Sequence, residues 1–467
     1  MKPTAGAIGF RIVLVTLAVA CLLGVVHSAS VLTLHVPIDP NEGWNAYFAQ
    51  MAIATGSPYP VGHGFLVNNY PPPSFFLIGG LARIFGDAIV VGRVVSLLSL
   101  GAVALGIAKA ASQSGCTKEQ AAFAGLTFVA CLLLTSDYVG MNDPQLLGHA
   151  IAVWGMIVAL RTPRTSRNMV ISALLLTIAF FVKHNLILLP LSLTGWMLLV
   201  DRRHAVTFIA SGLIFLLIGI GAFRDAFTTG FFQQIDSARI YTLENVRAAA
   251  LGWLPWASVP VCGALLLIWI GRRDQFAVFA SAYAVVSMAG GLAFSGGAGV
   301  DANAFFDADI ALALCAGILF DRLDNRGWAT VGASIYLIPL AILLRETDEG
   351  WLTPNYWLNP MAEDRRVAAQ EIALLRSKPD PAICEMLSLC YWAGRLPQVD
   401  VFNMDQRFRT GAQSDTELTR LIDEKRFSII QLESLKPFPL PESVEHSVTR
   451  SYDVTRNDGD RVFLTPR

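Results

Sequence analysis

The sequence carries little charge for its length. Of its 467 residues only 15% are Asp, Glu, Lys or Arg, whereas 54% are hydrophobic, and the mean hydropathy is +0.51. Soluble globular domains contain about 25% charged residues, so this composition excludes an ordinary soluble domain and indicates a membrane protein. The net charge is −1 and no run of Lys or Arg is present. We therefore expect no nucleic-acid partner.

The motifs of soluble enzymes are also missing. The chain has no HExxH, no arrangement of Ser, His and Asp typical of hydrolases, and no glycine-rich nucleotide fingerprint. Its seven cysteines show neither CxxC nor zinc-site spacing. Cys384 and Cys390 are predicted to share one helix, where about 9 Å of rise would prevent a disulfide. No cofactor is predicted with certainty, and a divalent metal is left open.

Long apolar runs fill the first three-quarters of the chain. Eleven candidate membrane spans cover residues 10–29, 89–110, 120–136, 144–160, 168–182, 185–200, 205–222, 251–271, 275–294, 305–320 and 328–345. Lys and Arg concentrate in the loops that are cytoplasmic if the N-terminus is cytoplasmic. An odd number of spans then puts the chain after residue 346 outside. If Ser28-Ala29-Ser30 is instead a signal-peptidase site, Asp39 is still outside.

Two regions differ from the spans. The outer loop 31–88 contains two predicted helices, Trp44–Ala54 and Pro73–Phe85, too short to cross a membrane and expected along its outer interface. The tail 346–467 is richer in charge, and its patterns predict a helix over Ala368–Leu375 and strands over Phe427–Leu432 and Arg461–Leu464. The predicted fold is an α-helical polytopic membrane protein of about eleven transmembrane helices (1–345) with a small extracytoplasmic α/β domain (346–467).

Acidic residues near the outer face are the candidates for catalysis. Asp39 and Glu42 follow the first span, where a carboxylate could take a proton from an incoming hydroxyl or amine. The structural alternative is that Asp39 begins a turn and that the charge of Glu42 stabilises the dipole of the following helix. Asp143, in Asn142-Asp143-Pro144, is a third candidate that also has the sequence of a helix cap.

Cationic and polar residues at other outer loops are candidates for substrate binding. Lys183 and His184 form a tight turn between two spans, where a cation can meet a lipid-linked phosphate. The alternative for Lys183 is a lysine whose side chain extends to the interface. Arg239 in the loop 223–250 is predicted to share the phosphate-binding role. Asn303 and Asp307, around the start of a span, are predicted to line a polar cavity.

The order of these residues resembles the GT-C glycosyltransferases, which include protein O-mannosyltransferases and lipid A aminoarabinose transferases. The resemblance covers about residues 10–345 and rests on the acidic pair after the first span, Tyr70-Pro71-Pro72 before an apolar helix, Arg93, and the Asp143 and Lys183 turns. The adjacent Asp-Glu of the family is split here into Asp39 and Glu42, so either residue can hold the place of the base.

The resemblance implies transfer of a sugar from a polyprenyl-phosphate donor to a lipid, glycan or protein acceptor at the outer face of a bacterial inner membrane, with inversion. Tyr70 is then expected to lie beside the substrate. Membrane lipids are expected to surround the chain. The main alternative is a transporter or flippase of a lipid-linked glycan, which predicts broken helices in two related halves; we find no such symmetry in the sequence. A polytopic scaffold would leave the acidic positions unexplained.

Overall fold

The computed structural model describes residues 5–60, 64–135, 138–235, 237–323, 326–341, 357–459 and 461–467. The helices before the tail are α1 (Ala5–Val31), α2 (Pro40–Thr55), α3 (Pro73–Phe85), α4 (Ala88–Gln113), α5 (Lys118–Thr135), α6 (Gln145–Ala159), α7 (Ser166–Val182), α8 (Leu188–Val200), α9 (Arg202–Ile235), α10 (Leu243–Ile270), α11 (Gln275–Phe294), α12 (Phe306–Arg322) and α13 (Arg326–Ile335). A 3₁₀ turn, Ala302–Phe305, precedes α12.

Helices coincide with the predicted spans throughout the described chain. Among the described residues, six helical segments can cross a membrane by length and composition: α1, α4, α9 as far as Phe227, α10, α11 and the segment Ala302–Arg322. Shorter apolar helices occupy Pro73–Phe85, Gln145–Ala159, Ser166–Val182, Leu188–Val200 and Gly327–Ala341. The chain is thus a multi-pass membrane protein, and the end of the last predicted span, 342–345, lies outside the described residues.

The core of the bundle is centred on α12. Each residue of this helix from Phe306 to Phe320 is buried, and its side chains contact α5, α10 and α11 in one large apolar cluster. By contrast α9 exposes large apolar residues such as Leu213, Leu217 and Ile218. Exposed apolar surface of this extent suits a helix that faces lipid.

The two predicted helices of the outer loop are present. Helix α2 begins at Pro40 and α3 at Pro73, and both run nearly as the sequence predicts. Proline suits the first position of a helix because its missing N–H is not needed there. Helix α3 exposes Ile84 and Phe85 at its end, while the middle of α2 is buried. The loop 31–88 therefore packs through α2 and leaves the end of α3 exposed.

The described part of the tail, residues 357–459 and 461–467, contains five further helices and a sheet of four strands. The helices are α14 (Ala362–Ser377), α15 (Leu387–Trp392), α16 (Val401–Arg409), α17 (Thr416–Asp423) and α18 (Glu442–Ser451), and the strands are β1 (Ala382–Cys384), β2 (Ile429–Leu432), β3 (Tyr452–Asn457) and β4 (Val462–Pro466). The strand order is β1-β2-β4-β3, with β1 parallel to β2 and the other pairs antiparallel. The predicted α14, β2 and β4 are confirmed.

The prediction for the two tail cysteines was wrong. Cys384 ends β1, whereas Cys390 lies in α15, and the two form a disulfide with a Cα–Cα distance of 6.1 Å. The chain turns between strand and helix, so the residues are much closer than six residues of helix would allow. The error came from extending one helical pattern through residues that form a strand.

The tail packs directly against the outer loop. Gly43 of α2 contacts α15 so closely that a Cβ there would lie 2.2 Å from the backbone nitrogen of Ser388, which requires glycine at this position. The Tyr391 hydroxyl accepts hydrogen bonds from the Gln50 side-chain amide and from the Ala88 backbone amide. Residues of α2, α3, α14, α15 and β2 share one apolar cluster. The predicted boundary at 345/346 lies outside the described residues, so the domain division stays a prediction.

Candidate active site

Asp39 is the residue that precedes α2. Its backbone is extended (φ −152°, ψ 146°), as expected for a residue before proline, and its Oδ1 accepts from the Asn41 amide at 2.7 Å. Burial, assisted by the nearby carboxylates of Asp143 and Asp301, raises the pKa of Asp39 to about 6 against the hydrogen bonds from the backbone and side chain of Asn41. The Asp39 side chain is only partly buried, so an incoming group can reach it.

Glu42, one turn later, has a different environment. Its side chain is fully buried and forms two short contacts with Arg93, from Nε to Oε1 at 2.7 Å and from NH2 to Oε2 at 2.6 Å. The amides of Ile38 and Asn142 also donate to it. Arg93 in turn donates to backbone carbonyls after α1, including those of Leu34 and Val36. Glu42 thus joins α1, α2, α4 and the turn before α6.

Asn142 closes this network tightly. Its side chain donates to the Glu42 carbonyl at 3.0 Å, and its own carbonyl accepts from Asn45 at 2.9 Å. A Cβ at Gly92 would lie 1.7 Å from the Asn142 Oδ1, so the turn fits only against a glycine of α4. The adjacent residue, Asp143, is thereby fixed in position next to α2.

Asp143 forms a buried ion pair with Lys183. The lysine Nζ lies 2.8 Å from Oδ1 and 3.0 Å from Oδ2, and both side chains are almost fully buried. Oδ1 also accepts from the Gln145 amide, so the predicted capping contact at the start of α6 is present. The Lys183 ammonium lies 4.5 Å from the centre of the Tyr70 ring. Residues from three predicted motifs therefore meet at one point.

His184 and Arg239 lie beside the same group. The His184 ring is 6.4 Å from that of Tyr70, and burial, followed by the charges of Lys183 and Arg239, lowers the pKa of His184 to about 4. His184 is therefore neutral at pH 7, and its buried Nδ1 has no partner among the described residues. Arg239 lies over Phe402 of α16 at 4.8 Å and donates to the Ala298 carbonyl at 3.4 Å.

The two predicted residues around the start of α12 lie in different places, one near this site and one in the bundle core. Asn303 donates to the Tyr138 hydroxyl at 2.8 Å, and Tyr138 is close enough to Asp39, Asp143 and Tyr70 for their charges to affect it. Asp307 instead lies inside the bundle, where it accepts from Tyr283 at 2.5 Å. Asp307 is therefore part of the buried core and is not among the residues that line the cavity described next.

A cavity of about 580 Å³ opens between α10 and the loop before α12. Polar and aromatic side chains line it, among them Asn245, Trp253, Trp256, Ser295, Asp301 and Phe305. Asp301 connects the cavity with the site, because its charge acts on both Asp39 and Tyr138. Sequence reasoning did not identify Asp301 as a site residue, although it lies only two positions before the predicted residue Asn303.

A link to the tail was also missed. The Trp44 indole donates to Asp400, which precedes α16, at 2.9 Å, and the Trp44 ring packs against Tyr70 with centroids 4.9 Å apart. The Ile240 amide donates to Gln406 of α16 at 3.1 Å. The two hydrogen bonds join residues more than 160 positions apart in sequence, and no local sequence pattern indicates them.

No metal ligand set accompanies these side chains. Within the described ranges, no group of three or more His, Cys, Asp or Glu side chains is placed to hold a metal ion. Asp39, Asp143 and Asp301 are close enough for the charges of Asp143 and Asp301 to affect Asp39. However, Asp143 is already paired with Lys183, and Asp301 caps the 3₁₀ turn. The carboxylates that are present thus do not fit a metal site, and the chemistry below uses none.

Comparison with known families and structures is consistent with this arrangement. The profile of the family described as dolichyl-phosphate-mannose-protein mannosyltransferase matches residues 69–223, a region that contains Tyr70, Arg93, Asp143 and Lys183. No curated protein matches the chain in sequence.

Two crystal structures of ArnT from Cupriavidus metallidurans are similar over nearly the whole chain. The structure bound to undecaprenyl phosphate has a TM-score of 0.64 at 14% identity and covers 96% of this chain and 97% of that one. The apo structure has the same score and identity and covers 98% of each chain. The chain therefore has the ArnT fold, which confirms the predicted polytopic, GT-C-like architecture with its C-terminal sheet.

Proposed function

We propose that the chain is a membrane glycosyltransferase that transfers a sugar from a polyprenyl-phosphate donor to an acceptor at the outer membrane face. The observation that carries the proposal is the group formed by Asp39, Asp143, Lys183 and Arg239 in a fold that ArnT shares. The family profile over residues 69–223 supports the same class of reaction. The solved ArnT complex with undecaprenyl phosphate supports a donor with a polyprenyl-phosphate carrier.

The cationic side of the group is proposed to receive the donor phosphate. Lys183 and Arg239 both act electrostatically on His184, whose unpartnered Nδ1 gives a further polar contact. Cations stabilise the negative charge that accumulates on a leaving phosphate, and they do so more strongly where water is largely excluded. Asp143 holds Lys183 in place before the donor arrives. A lipid phosphate is a good leaving group, so no general acid is required.

Asp39 is proposed to act as the general base. Its carboxylate takes the proton from the acceptor hydroxyl or amine while the acceptor oxygen or nitrogen bonds to the anomeric carbon of the sugar. The bond from that carbon to the phosphate oxygen breaks, and the electron pair stays on the lipid phosphate. Attack opposite to the leaving group inverts the anomeric centre. The raised pKa of about 6 suits a base that works near neutral pH.

The acceptor is proposed to enter through the 580 Å³ cavity beside Asp301. Trp253 and Trp256 give it aromatic faces, and Asn245 and Ser295 give it hydrogen-bonding groups, a combination that suits a sugar-bearing lipid, glycan or glycosylated protein. The disulfide of the tail supports a position outside the cytoplasm, because disulfides persist in oxidising compartments. The bias of Lys and Arg toward the opposite loops supports the same orientation in a bacterial inner membrane.

The test is incubation of purified protein with radiolabelled polyprenyl-phosphate sugars and a membrane extract. We expect label to pass from the donor into an extractable acceptor, with release of unlabelled lipid phosphate. The matched control is Lys183→Met together with Asp143→Asn, which removes both charges of the pair without leaving one of them buried alone. This double variant should fold and transfer little label.

A different outcome would separate enzyme from transporter. In sealed vesicles a flippase would move the labelled donor across the membrane and leave its sugar–phosphate bond intact. The assay is repeated with several donor sugars and a complete membrane extract. Movement of the donor across the membrane without cleavage of its sugar–phosphate bond would contradict the proposal.

A further inference from the structure

A second groove lies away from the Asp39 site, between the segment after α1 and helix α14. Its volume is about 710 Å³; Thr33, Leu34 and His35 form one wall, and one face of α14 forms the other. His35 stacks on Trp392 with centroids 4.9 Å apart and lies 3.4 Å from Asp87. This groove therefore has polar residues on both sides and is separate from the cavity beside α10.

The α14 wall has cations at both ends and an apolar middle. The residues that face the groove include Arg365, Ala369, Ile372 and Arg376, with spacings of four, three and four that put them on one side of a helix. Eleven residues of helix separate the two arginines by about 16 Å along the axis. Arg366 also lines the groove, but Glu363 pairs with it and offsets its charge.

Both arginines keep free donor groups. In the described contacts, Arg365 uses NH1 to reach Asn359 at 3.2 Å, and Arg376 uses NH2 to donate to the Trp392 carbonyl at 2.8 Å. A guanidinium has five N–H donors, so each arginine can still bind an anion. The paired N–H groups of arginine fit the oxygens of a phosphate better than the single ammonium of lysine does.

The groove lies next to one end of α1, a position that suits the surface of a lipid bilayer. Its first wall follows directly from the end of α1, a helix long enough to cross the membrane. The Trp357 ring packs edge-on against His27, close to that end of α1, with centroids 6.0 Å apart. Leu358 next to it is 82% exposed. Tryptophan and exposed aliphatic side chains at the end of a membrane helix are typical of the interface.

From these observations we propose that this groove binds the phosphate-bearing headgroup of an anionic lipid in the outer leaflet. One arginine contacts the phosphate oxygens, the other attracts the negative charge of the headgroup from the opposite end of the groove, and Ala369 and Ile372 contact the apolar part next to the headgroup. The inference does not depend on the proposed sugar transfer, because it concerns binding at residues apart from Asp39 and Lys183.

The test measures lipid binding by the full-length protein in non-ionic detergent. Phosphatidylglycerol and, separately, phosphatidylcholine are titrated in mixed micelles, and bound lipid is counted by native mass spectrometry. We expect the wild type to prefer phosphatidylglycerol. Arg365→Gln with Arg376→Gln should weaken that binding about thirtyfold, since each arginine near a lipid surface contributes about a fivefold gain. Arg450→Gln, an exposed arginine on α18, is the matched control and should bind as the wild type does.

A second variant covers the case in which loss of the Trp392 contact disturbs the fold. Ala369→Glu adds a negative charge at an exposed position inside the groove without removing any contact, and it should weaken phosphatidylglycerol binding in the same direction. Equal binding of both lipids, or unchanged binding in both groove variants, would overturn the proposal. Inorganic phosphate that competes at low millimolar concentration in place of the lipid would also overturn it, since the ligand would then be a soluble anion.

Discussion

The two carboxylates at the start of α2 occupy opposite kinds of environment. Glu42 has all its acceptor positions used by Arg93 and by two backbone amides, and water does not reach it. Asp39 lies one turn away, is partly exposed, and is hydrogen-bonded to Asn41 of its own turn. Both acidic residues lie at the same end of α2, yet their partners differ completely.

The difference indicates how their roles divide. A buried carboxylate whose oxygens are all bonded to arginine and backbone amides holds its neighbours together and has no lone pair left for a substrate proton. A partly exposed carboxylate with a raised pKa and a neighbouring cavity can exchange protons. We therefore assign the Glu42 region to structure and the Asp39 region to chemistry.

The largest effect is expected at Asp39. Asp39→Asn keeps the size and the capping ability of the side chain but removes the proton acceptor, so transfer should fall by a factor of about 10² to 10⁴. The rate of labelled-sugar transfer measures this loss. Asp87→Asn, which changes another capping aspartate on the outer side, is the matched control and should retain transfer.

Glu42→Gln should act on stability instead. Removing the charge leaves Arg93 buried without its counter-ion, and breaking such a pair costs about 3–5 kcal/mol of the free energy of unfolding. Thermal melting in detergent would detect this change. Glu417→Gln, at a fully exposed pair with Arg420, should leave the melting temperature almost unchanged. Equal melting of the two variants would refute the structural role of Glu42.

Lys183→Met should lower both the transfer rate and the melting temperature. The methionine keeps much of the apolar stem, so the lost phosphate contact should lower the transfer rate about tenfold to a thousandfold. The melting temperature should also fall, because Asp143 is left buried and unpaired. Adding Asp143→Asn should restore the melting temperature but not the rate. Recovery of the rate in the double variant would show that Lys183 acts only on folding.

Removing the tail disulfide should have a smaller effect. Opening this short loop by Cys384→Ser with Cys390→Ser should cost about 2 kcal/mol of unfolding free energy by the loop-entropy relation. A reductant should lower the melting temperature of the wild type and leave that of the double variant unchanged. Cys262→Ser, at an exposed free cysteine, serves as the control. A wild type that melts identically with and without reductant would refute the contribution of this bond.

The smallest expected effect is a shift with pH. Since burial raises the pKa of Asp39 from 3.8 to about 6, transfer should fall as the pH decreases through about 6 rather than about 4. Stability should change in the opposite direction, because the folded protein binds the proton more tightly than the unfolded chain between these values, so this contribution is lost as the pH rises through 6. The melting temperature of Asp39→Asn should lack this dependence on pH.

The sequence predicted most of the membrane region and much of the site. Apolar periodicity located the spans, and proline positions located α2 and α3, because both signals act within one helix. The Tyr70, Asp143 and Lys183 turns meet in the structure as their shared outer position led us to expect. Their assignment as substrate-binding residues stays a proposal.

Contacts between distant segments could not be predicted. The pairing of Glu42 with Arg93 and of Trp44 with Asp400 depends on how α2 packs against α4 and the tail, and neither partner has a local signal. The disulfide was missed for the same reason, since its formation requires the turn from β1 into α15. Asp307 was predicted to line a polar cavity because it is a carboxylate at the start of a span. In the structure it accepts a hydrogen bond from Tyr283 inside the bundle.

The most direct test of the division between the two carboxylates is a comparison of Asp39→Asn and Glu42→Gln on the same preparations. Single-turnover transfer per folded molecule and the melting temperature are measured together. Our account predicts that Asp39→Asn melts as high as the wild type but transfers at least a hundredfold more slowly, by the usual contribution of a general base. It predicts that Glu42→Gln melts earlier yet retains more transfer per folded molecule. A Glu42→Gln protein that folds normally without transfer, beside an active Asp39→Asn, would contradict it.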